Sequence, residues 1–500
     1  MILADKNFIL ACYQYLAQMD SEAIGLLKNK IANGIFNDIL QKFPATTSVY
    51  IFCGNSFKGS IGFVLSQILS EHYSDTRTIL FQNEEQYLPE DVKLIHSLRE
   101  KKLLFTYTEF RDCCFEDNSL IIDAIEDCTK IFSNIEDKRK IKHINQLQAY
   151  TYSIDMPSGI AIDEPIAKRS IYANFTHCLL LPRKAFFLPE SESRCGQWEI
   201  FTHDIVLPEE LAAQVSTMKF YTTSPENLAR LSVTPPKYIH KYSLGHGLLI
   251  AGSYGMGGAA VLAARAATRA GLGTLTLHIP KLLYNIMQIS IPEARCWVDT
   301  HAAICSSLET NNLDKYTAIA IGPGLGTHQL TEQTFAYLLQ NYNDKPIVFD
   351  ADAINMLALN KDLLKDFNGK AIFTPHEGEF KRLIGKFKND MERLQLQLMF
   401  SQQYNAIVVF KGAFTCISLP DGRCYFNTNG NIGMATGGSG DVLTGIILAL
   451  LCQGFSPEEA AICGVYMHAE AADIAVKSQT KASLTASDIV ENLKFVKRYE

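Results

Sequence analysis

Residues Asn427 to Asp441 read NTNGNIGMATGGSGD and run directly into VLTGIILALLCQG, Val442 to Gly454. The second stretch has the apolar density of a buried helix and ends on glycine, the residue suited to the turn after a helix. The first carries five glycines between positions 430 and 440. Glycine loses more backbone entropy on ordering than any other residue, so a simple turn has no use for so many. Bare backbone at a helix N-terminus, where the first N–H groups lack intrahelical partners, makes an anion site. The helix dipole contributes about 0.3–1 kcal/mol to a partly exposed anion and about 2 kcal/mol in a sheltered cleft. Gly437, Gly438 and Gly440 are therefore the candidate phosphate cradle, with Asp441 beside the reacting group. An aspartate here also suits a helix cap; the glycine density favours the phosphate reading.

The bulk properties limit the rest. At 500 residues two or three domains are expected, and 47% hydrophobic with 20% charged residues describes a globular protein able to bury real cores. A net charge of −7 leaves no basic footprint for nucleic acid and no polybasic block for a membrane surface. No apolar run approaches the ~18 residues of a spanning helix, and the N-terminus carries Asp5 and Lys6 rather than a basic segment before an apolar one. The expected location is cytoplasmic. Thirteen cysteines, with one adjacent pair at Cys113 and Cys114 and no CxxC, read as reduced thiols. Twelve histidines without HExxH-like spacing predict no transition metal.

Along the chain, residues 1 to about 40 have helical spacing of apolar positions, and then strands alternate with helices. Val49 to Cys53 forms a strand, Gly54 and Asn55 open a loop, and Gly59 and Gly62 lead into a helix from Phe63 to His72. Further strands are expected at 78–81, 103–107, 119–122 and 151–154. In open α/β sheets ligands sit outside the carboxyl ends of strands, where Asp123 and Asp155 fall. From Val206 to Pro236 the strand pattern is lost, and the adjacent Pro235 and Pro236 make a stiff connector. The domains are therefore expected at 1–220 and 226–500.

The second half restarts with a strand at 247–251, a glycine turn from Gly252 to Gly258 and an alanine-rich helix at 259–270. Strand ends then run into GPGLG (322–326), DADAIN (350–355), TPHEGE (374–379) and Lys411–Gly412. Together with the 437–441 loop these imply one cleft along one sheet edge. His376 alone reads as a satisfied histidine beside a turn, and Lys411 alone as a solvated charge.

In this order, HK at 240, GSYGMGGAA at 252–260, GPGLG, DADAIN, TPHEGE, KGAFT at 411–415 and GNIGMATGGSGD at 430–441 resemble the ribokinase-like dehydratase domain of the NAD(P)HX repair enzymes. The resemblance covers about half the chain. It implies removal of water from hydrated NADH or NADPH at the expense of ADP or ATP, with Mg2+ accompanying the nucleotide, in a homo-oligomer. It further implies that Asp441 is the catalytic base and that Lys411, Gly412, Ala413, Phe414, Thr415 and Gly440 line the adenine nucleotide. Ala259, Gly324, Gly326, His376 and Asp441 would face the hydrated dinucleotide.

The N-terminal half is similar to the epimerase partner domain of the same bifunctional enzymes. Their GNNGGDG loop is here Ser56, Phe57, Lys58, Gly59, Ser60, Ile61, Gly62, with Ile61 in place of the loop aspartate and Lys58 in place of an asparagine that helps bind potassium. Their DAxFGTG is reduced to Asp123, Ala124, Ile125, Glu126, with the glycines gone. Asp155, in DMPSG, keeps the position of the family's catalytic, substrate-facing aspartate, and Asp123 and Ser158 keep its K+ positions. Side chains where bare backbone stood predict weak or absent epimerase activity. The Lys58 ammonium is expected in the potassium site, paired with Asp123; drift in a domain kept for folding or assembly is the other reading. The fold class expected is α/β, a Rossmann-like three-layer αβα domain followed by a ribokinase-like αβα domain. The rival functions are a ribokinase-like kinase of a vitamin precursor or sugar with an N-terminal binding module, and a scaffold protein.

Overall fold

The computed structural model describes residues 1–87, 89–112, 115–129, 131–166, 169–201, 208–229, 237–308, 313–341 and 345–497. Cys113 and Cys114, and Val206, Pro235 and Pro236 of the expected connector, lie outside the described residues. The chain divides into two compact units, Ile2–Met218 with Asn389–Met391, and Lys219–Lys388 with Glu392–Glu500 and Met1.

Among the described residues the first unit holds seven strands: β1 (Val49–Cys53), β2 (Thr76–Leu80), β3 (Leu104–Thr106), β4 (Ser119–Ala124), β5 (Ala149–Ile154), β6 (Phe175–Leu179) and β7 (Gln197–Phe201). All pair in parallel, in the order β3-β2-β1-β4-β5-β6-β7. A parallel sheet covered on both faces demands apolar residues at every position of its central strands, and β1 is buried throughout. The side-chain alternation of a strand then feeds two cores. Ile51 and Cys53 join Leu65 and Ile122 on one face, while Tyr50 and Phe52 join Ile79 and Ile121 on the other. The order reverses between β1 and β4, which is the switch point of a doubly wound sheet.

Ten strands make the second sheet, in the order β11-β10-β9-β12-β13-β14-β15-β16-β17-β8. They are β8 (Phe220–Thr222), β9 (His246–Ile250), β10 (Thr274–Ile279), β11 (Arg295–Val298), β12 (Ala318–Ile321), β13 (Ile347–Phe349), β14 (Ala371–Phe373), β15 (Ile407–Phe410), β16 (Cys416–Ser418) and β17 (Cys424–Phe426). From β11 to β15 every pairing is parallel, and β16 and β17 add an antiparallel hairpin. Leu249, Ala318, Ala320 and Val348 face one core, while Leu248, Ile250, Ile319, Ile321 and Phe349 face the other. The switch point lies between β9 and β12.

Two sequence expectations are corrected here. The first helix after β1 starts at Phe57 rather than Phe63, because Ser56 Oγ accepts the Gly59 N–H at 3.1 Å and caps it six residues earlier. The connector region contains β8, which pairs in parallel with β17; three residues are too few to show a strand period.

The helix that follows the glycine loop, Ser439–Cys452, packs on the alanine-rich helix Gly257–Arg269. Ala260, Ala263, Ala264, Ala266 and Ala267 are all buried, and a Cβ at Gly445 would stand 2.0 Å from the Ala263 carbonyl oxygen. Gly445→Ala must push the two backbones apart. The expected loss is about 1–3 kcal/mol, read as a lower urea midpoint with an unchanged denaturant slope.

Candidate active site

Parallel pairing from β9 to β15 places the carboxyl ends of five strands on one edge of the second sheet. At the switch point the loops after β9 and β12 interlock. Gly252 N–H donates to the Pro323 carbonyl at 2.8 Å, and Ser253 Oγ donates to the Gly324 carbonyl at 2.9 Å. Gly324 has φ +58, and a Cβ there would lie 3.0 Å from Ala259 Cβ, so these two expected substrate residues are neighbours. Gly326 N–H donates to Asp352 Oδ2 at 2.8 Å.

Asp350, the first residue after β13, ties the edge together. Its fully buried carboxylate accepts from Thr374 Oγ1 at 2.8 Å, Lys411 Nζ at 2.9 Å and Thr444 Oγ1 at 2.8 Å. Thr374 follows β14, Lys411 follows β15, and Thr444 belongs to the helix that carries Asp441. Lys411 Nζ also lies 3.9 Å from Glu379 Oε2. Burial opposes the ammonium charge of Lys411, but Asp350 and Glu379 outweigh it and raise its pKa.

The Asp441 helix begins as the glycines predict. Gly438 is its N-cap with φ +87 and no side chain caps it. A Cβ at Gly438 would stand 2.3 Å from Leu262 Cδ1, so the left-handed turn and the close packing both require glycine. Gly437 is exposed and open, and a Cβ at Gly440 would meet Lys411 Nζ at 3.1 Å. The lysine ammonium thus lies over the uncapped helix start, a cation and free amides facing one space.

Asp441 is the third helical residue, not the cap. Burial and then the neighbouring Asp350 push its carboxyl up to about 7, against the pull of Lys411, with Glu379 and Asp352 adding to the rise. Behind the loop, Ser439 Oγ is 3.2 Å from Nε2 of buried His468, whose pKa is lowered to about 4 by burial and then by Lys411. That imidazole is neutral and meets the loop as a hydrogen-bond partner.

The other expected residues are more peripheral. Gly412 and Ala413 are exposed and Phe414 and Thr415 half-buried in the turn after β15, which Thr415 Oγ1 closes on the Gly412 carbonyl at 3.1 Å. His376 caps the helix Glu377–Ile384: its Nδ1 accepts from Gly378 N–H at 2.9 Å, and Glu379 Oε2 accepts from His376 N–H at 2.8 Å. The ring's Nε2 lies 3.2 Å from Glu379 Oε1, and the rest of the ring is exposed. Asp350, Asp352, Glu379 and Thr444 were not read as site residues, although an acid directly after a buried strand was the available signal at Asp350. Proximity without spacing also escaped the sequence. His278, Asp299 and Cys305 bring ligand atoms within 4.8 Å of one another, but Asp299 already accepts from His278 Nε2, His301 N–H, Ser306 N–H and Oγ, and Ser307 N–H.

In the N-terminal unit Asp123, Ser158 and Lys58 come together. Lys58, wholly buried, donates from Nζ to the Met156 carbonyl at 2.8 Å and to Asp123 Oδ2 at 3.3 Å. Asp123 further accepts from Ser153 Oγ at 2.9 Å, Ser158 N–H at 2.8 Å and Ser158 Oγ at 2.5 Å. Asp155 is apart from this group. It has φ +64 and is held by the buried Arg183 guanidinium at 2.7 Å, by Leu179 N–H at 3.0 Å and by Tyr13 OH at 3.3 Å.

The fold and the strand-edge site define a two-domain α/β protein whose C-terminal half is of the ribokinase-like class. A ribokinase-like superfamily protein from Enterococcus faecalis superposes with TM-score 0.51 at 27% identity, covering 59% of this chain and 99% of its own. The family model described as NAD(P)H-hydrate dehydratase matches residues 247–494, and that of the YjeF-related protein N-terminus matches 26–185. A bifunctional NAD(P)H-hydrate repair enzyme of Moorella thermoacetica is 31% identical over 91% of this chain and 88% of its own length. An ADP-dependent (S)-NAD(P)H-hydrate dehydratase of Bacillus subtilis is 36% identical over 52% of this chain and 92% of its own. The chain belongs to the bifunctional NAD(P)H-hydrate repair enzymes.

The raised pKa of Asp441 has a consequence for stability. Between the unperturbed 3.8 and about 7 the folded state holds a proton that the unfolded state has released, so this group costs stability as pH rises through that window. Asp441→Asn is expected to be more stable than the parent above pH about 7 and indistinguishable below 3.8. Thermal melts across that range measure the difference.

Proposed function

We propose that the C-terminal domain dehydrates hydrated NADH or NADPH, in its S form, with ADP or ATP as phosphoryl donor. The observation that carries the reading is one convergence: Lys411 lies over the uncapped start of a glycine-cradled helix, with a carboxyl of pKa about 7 on the first turn. Asp441 takes the proton from the ring hydroxyl, whose oxygen then attacks the terminal phosphorus of the nucleotide. The phosphorylated oxygen leaves with its bonding pair, loss of a ring proton restores the double bond, and phosphate and the shorter nucleotide are released. General-base help of this kind is typically worth about 10²–10⁴ in rate, most when the pKa lies near the working pH. Lys411 and the loop amides stabilise charge on the migrating phosphoryl.

Ala259, Gly324, Gly326 and His376 are assigned to the hydrated dinucleotide. Gly412, Ala413, Phe414, Thr415, Gly437, Gly438 and Gly440 are assigned, with Lys411, to the nucleotide. Mg2+ would arrive with the phosphates and share their charge in the negative field of Asp350, Asp352 and Glu379, whose own oxygens are already committed to Lys411, Gly326 and His376. The activity for which the B. subtilis relative is named supports the same reading. Among the described residues no helix is long and apolar enough to cross a membrane. We place the protein in the cytoplasm as a homo-oligomer, which sedimentation tests.

Incubation with ADP and hydrated NADH is the decisive assay. Return of reduced-nicotinamide absorbance is expected; a phosphorylated small molecule released in its place would mark a ribokinase-like kinase. Asp441→Asn should lower kcat by about 10²–10⁴. For the parent, kcat/KM should rise with pH through about 7, because the free enzyme's carboxylate is the competent form. Asp350→Asn removes a neighbouring negative charge, so its acidic limb should move to lower pH; an unmoved limb would assign the titration to another group.

A further inference from the structure

The family resemblance brings a potassium ion to Asp123 and Ser158, and the residues present do not fit one. The oxygens that would receive a monovalent cation are already turned onto an ammonium. Lys58 Nζ touches the Met156 carbonyl and Asp123 Oδ2, with both side chains sealed from solvent. Asp123 spends its remaining capacity on Ser153, on Ser158 through both N–H and Oγ, and on Ile125 N–H. An ammonium carries the charge of the ion and donates to the same oxygens, and a second cation beside it meets repulsion in a dry interior.

The crevice at the β1/β4 switch point is closed in the same way. Gly59 and Gly62 sit inside the helix Phe57–Ser70 and spend their bareness on packing. A Cβ at Gly59 would stand 1.9 Å from the Gly54 carbonyl oxygen, and one at Gly62 2.7 Å from Ala124 Cβ. At the start of that helix, where a phosphate would seek free amides, Phe57 N–H and Lys58 N–H donate to Asp127 at 3.3 and 3.4 Å. Ser56 Oγ donates to the Ile125 carbonyl at 3.1 Å and pulls the two loops together. A pyrophosphate would have to evict a carboxylate and stand beside Glu126 as well.

We propose that Lys58 is a built-in replacement for the monovalent cation and that Asp127 occupies the phosphate position, so that the N-terminal domain needs no potassium and admits no dinucleotide. Its cation is covalently attached, and its anion site is satisfied by its own chain.

The test compares full-length protein in KCl and in N-methylglucamine chloride at equal ionic strength. Parent melting is expected to be the same in both. Lys58→Asn is expected to melt several degrees lower in N-methylglucamine and to recover saturably with K+. A K+-specific rise in the parent melt, or an anomalous thallium peak at Asp123 in parent crystals soaked in Tl+, overturns the replacement. A folded Lys58→Asn indifferent to K+ does so too; if that variant fails to fold, the two parent measurements decide alone. For the crevice, full-length protein with ADP and mixed epimers should consume the S hydrate at the enzyme's rate and the R hydrate only at its spontaneous epimerisation rate. R consumption that scales with enzyme overturns it. Should the S hydrate also survive, the dehydratase reading fails while the potassium measurements still stand.

Discussion

One carboxylate, that of Asp350, holds the C-terminal site together. It is buried, yet it accepts from three different elements: Thr374 after β14, Lys411 after β15 and Thr444 on the Asp441 helix. A lone ion in such a place would cost several kcal/mol in desolvation, and only excellent geometry with filled lone pairs offsets that. The three donors supply it. Because they come from separate segments, satisfying one charge also fixes the lysine over the glycine loop and the helix whose first turn carries Asp441. The geometry proposed for catalysis is a by-product of neutralising a buried acid.

The N-terminal unit applies the same electrostatics to the opposite end. Lys58–Asp123 and Arg183–Asp155 are ion pairs with every partner at or below 1% side-chain exposure. Breaking such a pair by removing one member typically costs about 3–5 kcal/mol, since the other charge is left stranded. In the C-terminal domain the cation has free space and loop amides in front of it. In the N-terminal domain the cation faces a carbonyl and a carboxylate, and the helix amides have Asp127. The same strand–loop–helix grammar yields an open site in one case and a closed one in the other. The difference lies in whether glycine bareness is left in the open, as at Gly437, or consumed in packing, as at Gly59 and Gly62.

That difference marks how far the sequence could be read. Strands at 49–53, 318–321, 347–349, 371–373 and 407–410 were legible because buried parallel strands are short apolar runs that end at a glycine or a polar residue. Loop 437–441 was legible because no other residue tolerates φ +87 there so cheaply. Partnerships were not legible. Nothing local says that Thr444 points at Asp350, 94 positions away, or that Ser56 reaches Ile125. Asp127 shows the point most sharply: the motif comparison registers lost glycines, whereas the fold shows a gained carboxylate placed on two helix amides.

The raised pKa of Asp441 follows from its burial and from the same buried acid. A carboxylate on the first turn of a helix is ordinarily favoured by the dipole and kept ionised. Here burial and Asp350 overcome the dipole and Lys411, and the group is poised near neutrality. In the proposed reaction, an anion settling on the loop amides would add one more negative neighbour and raise the Asp441 carboxyl further. The same anion would draw on the Lys411 charge shared with Asp350 and Glu379, and so weaken the pull of Lys411 on the Asp441 carboxyl. Binding the phosphate and raising the proposed base would therefore be one electrostatic event, coupled by the acid that organises the site.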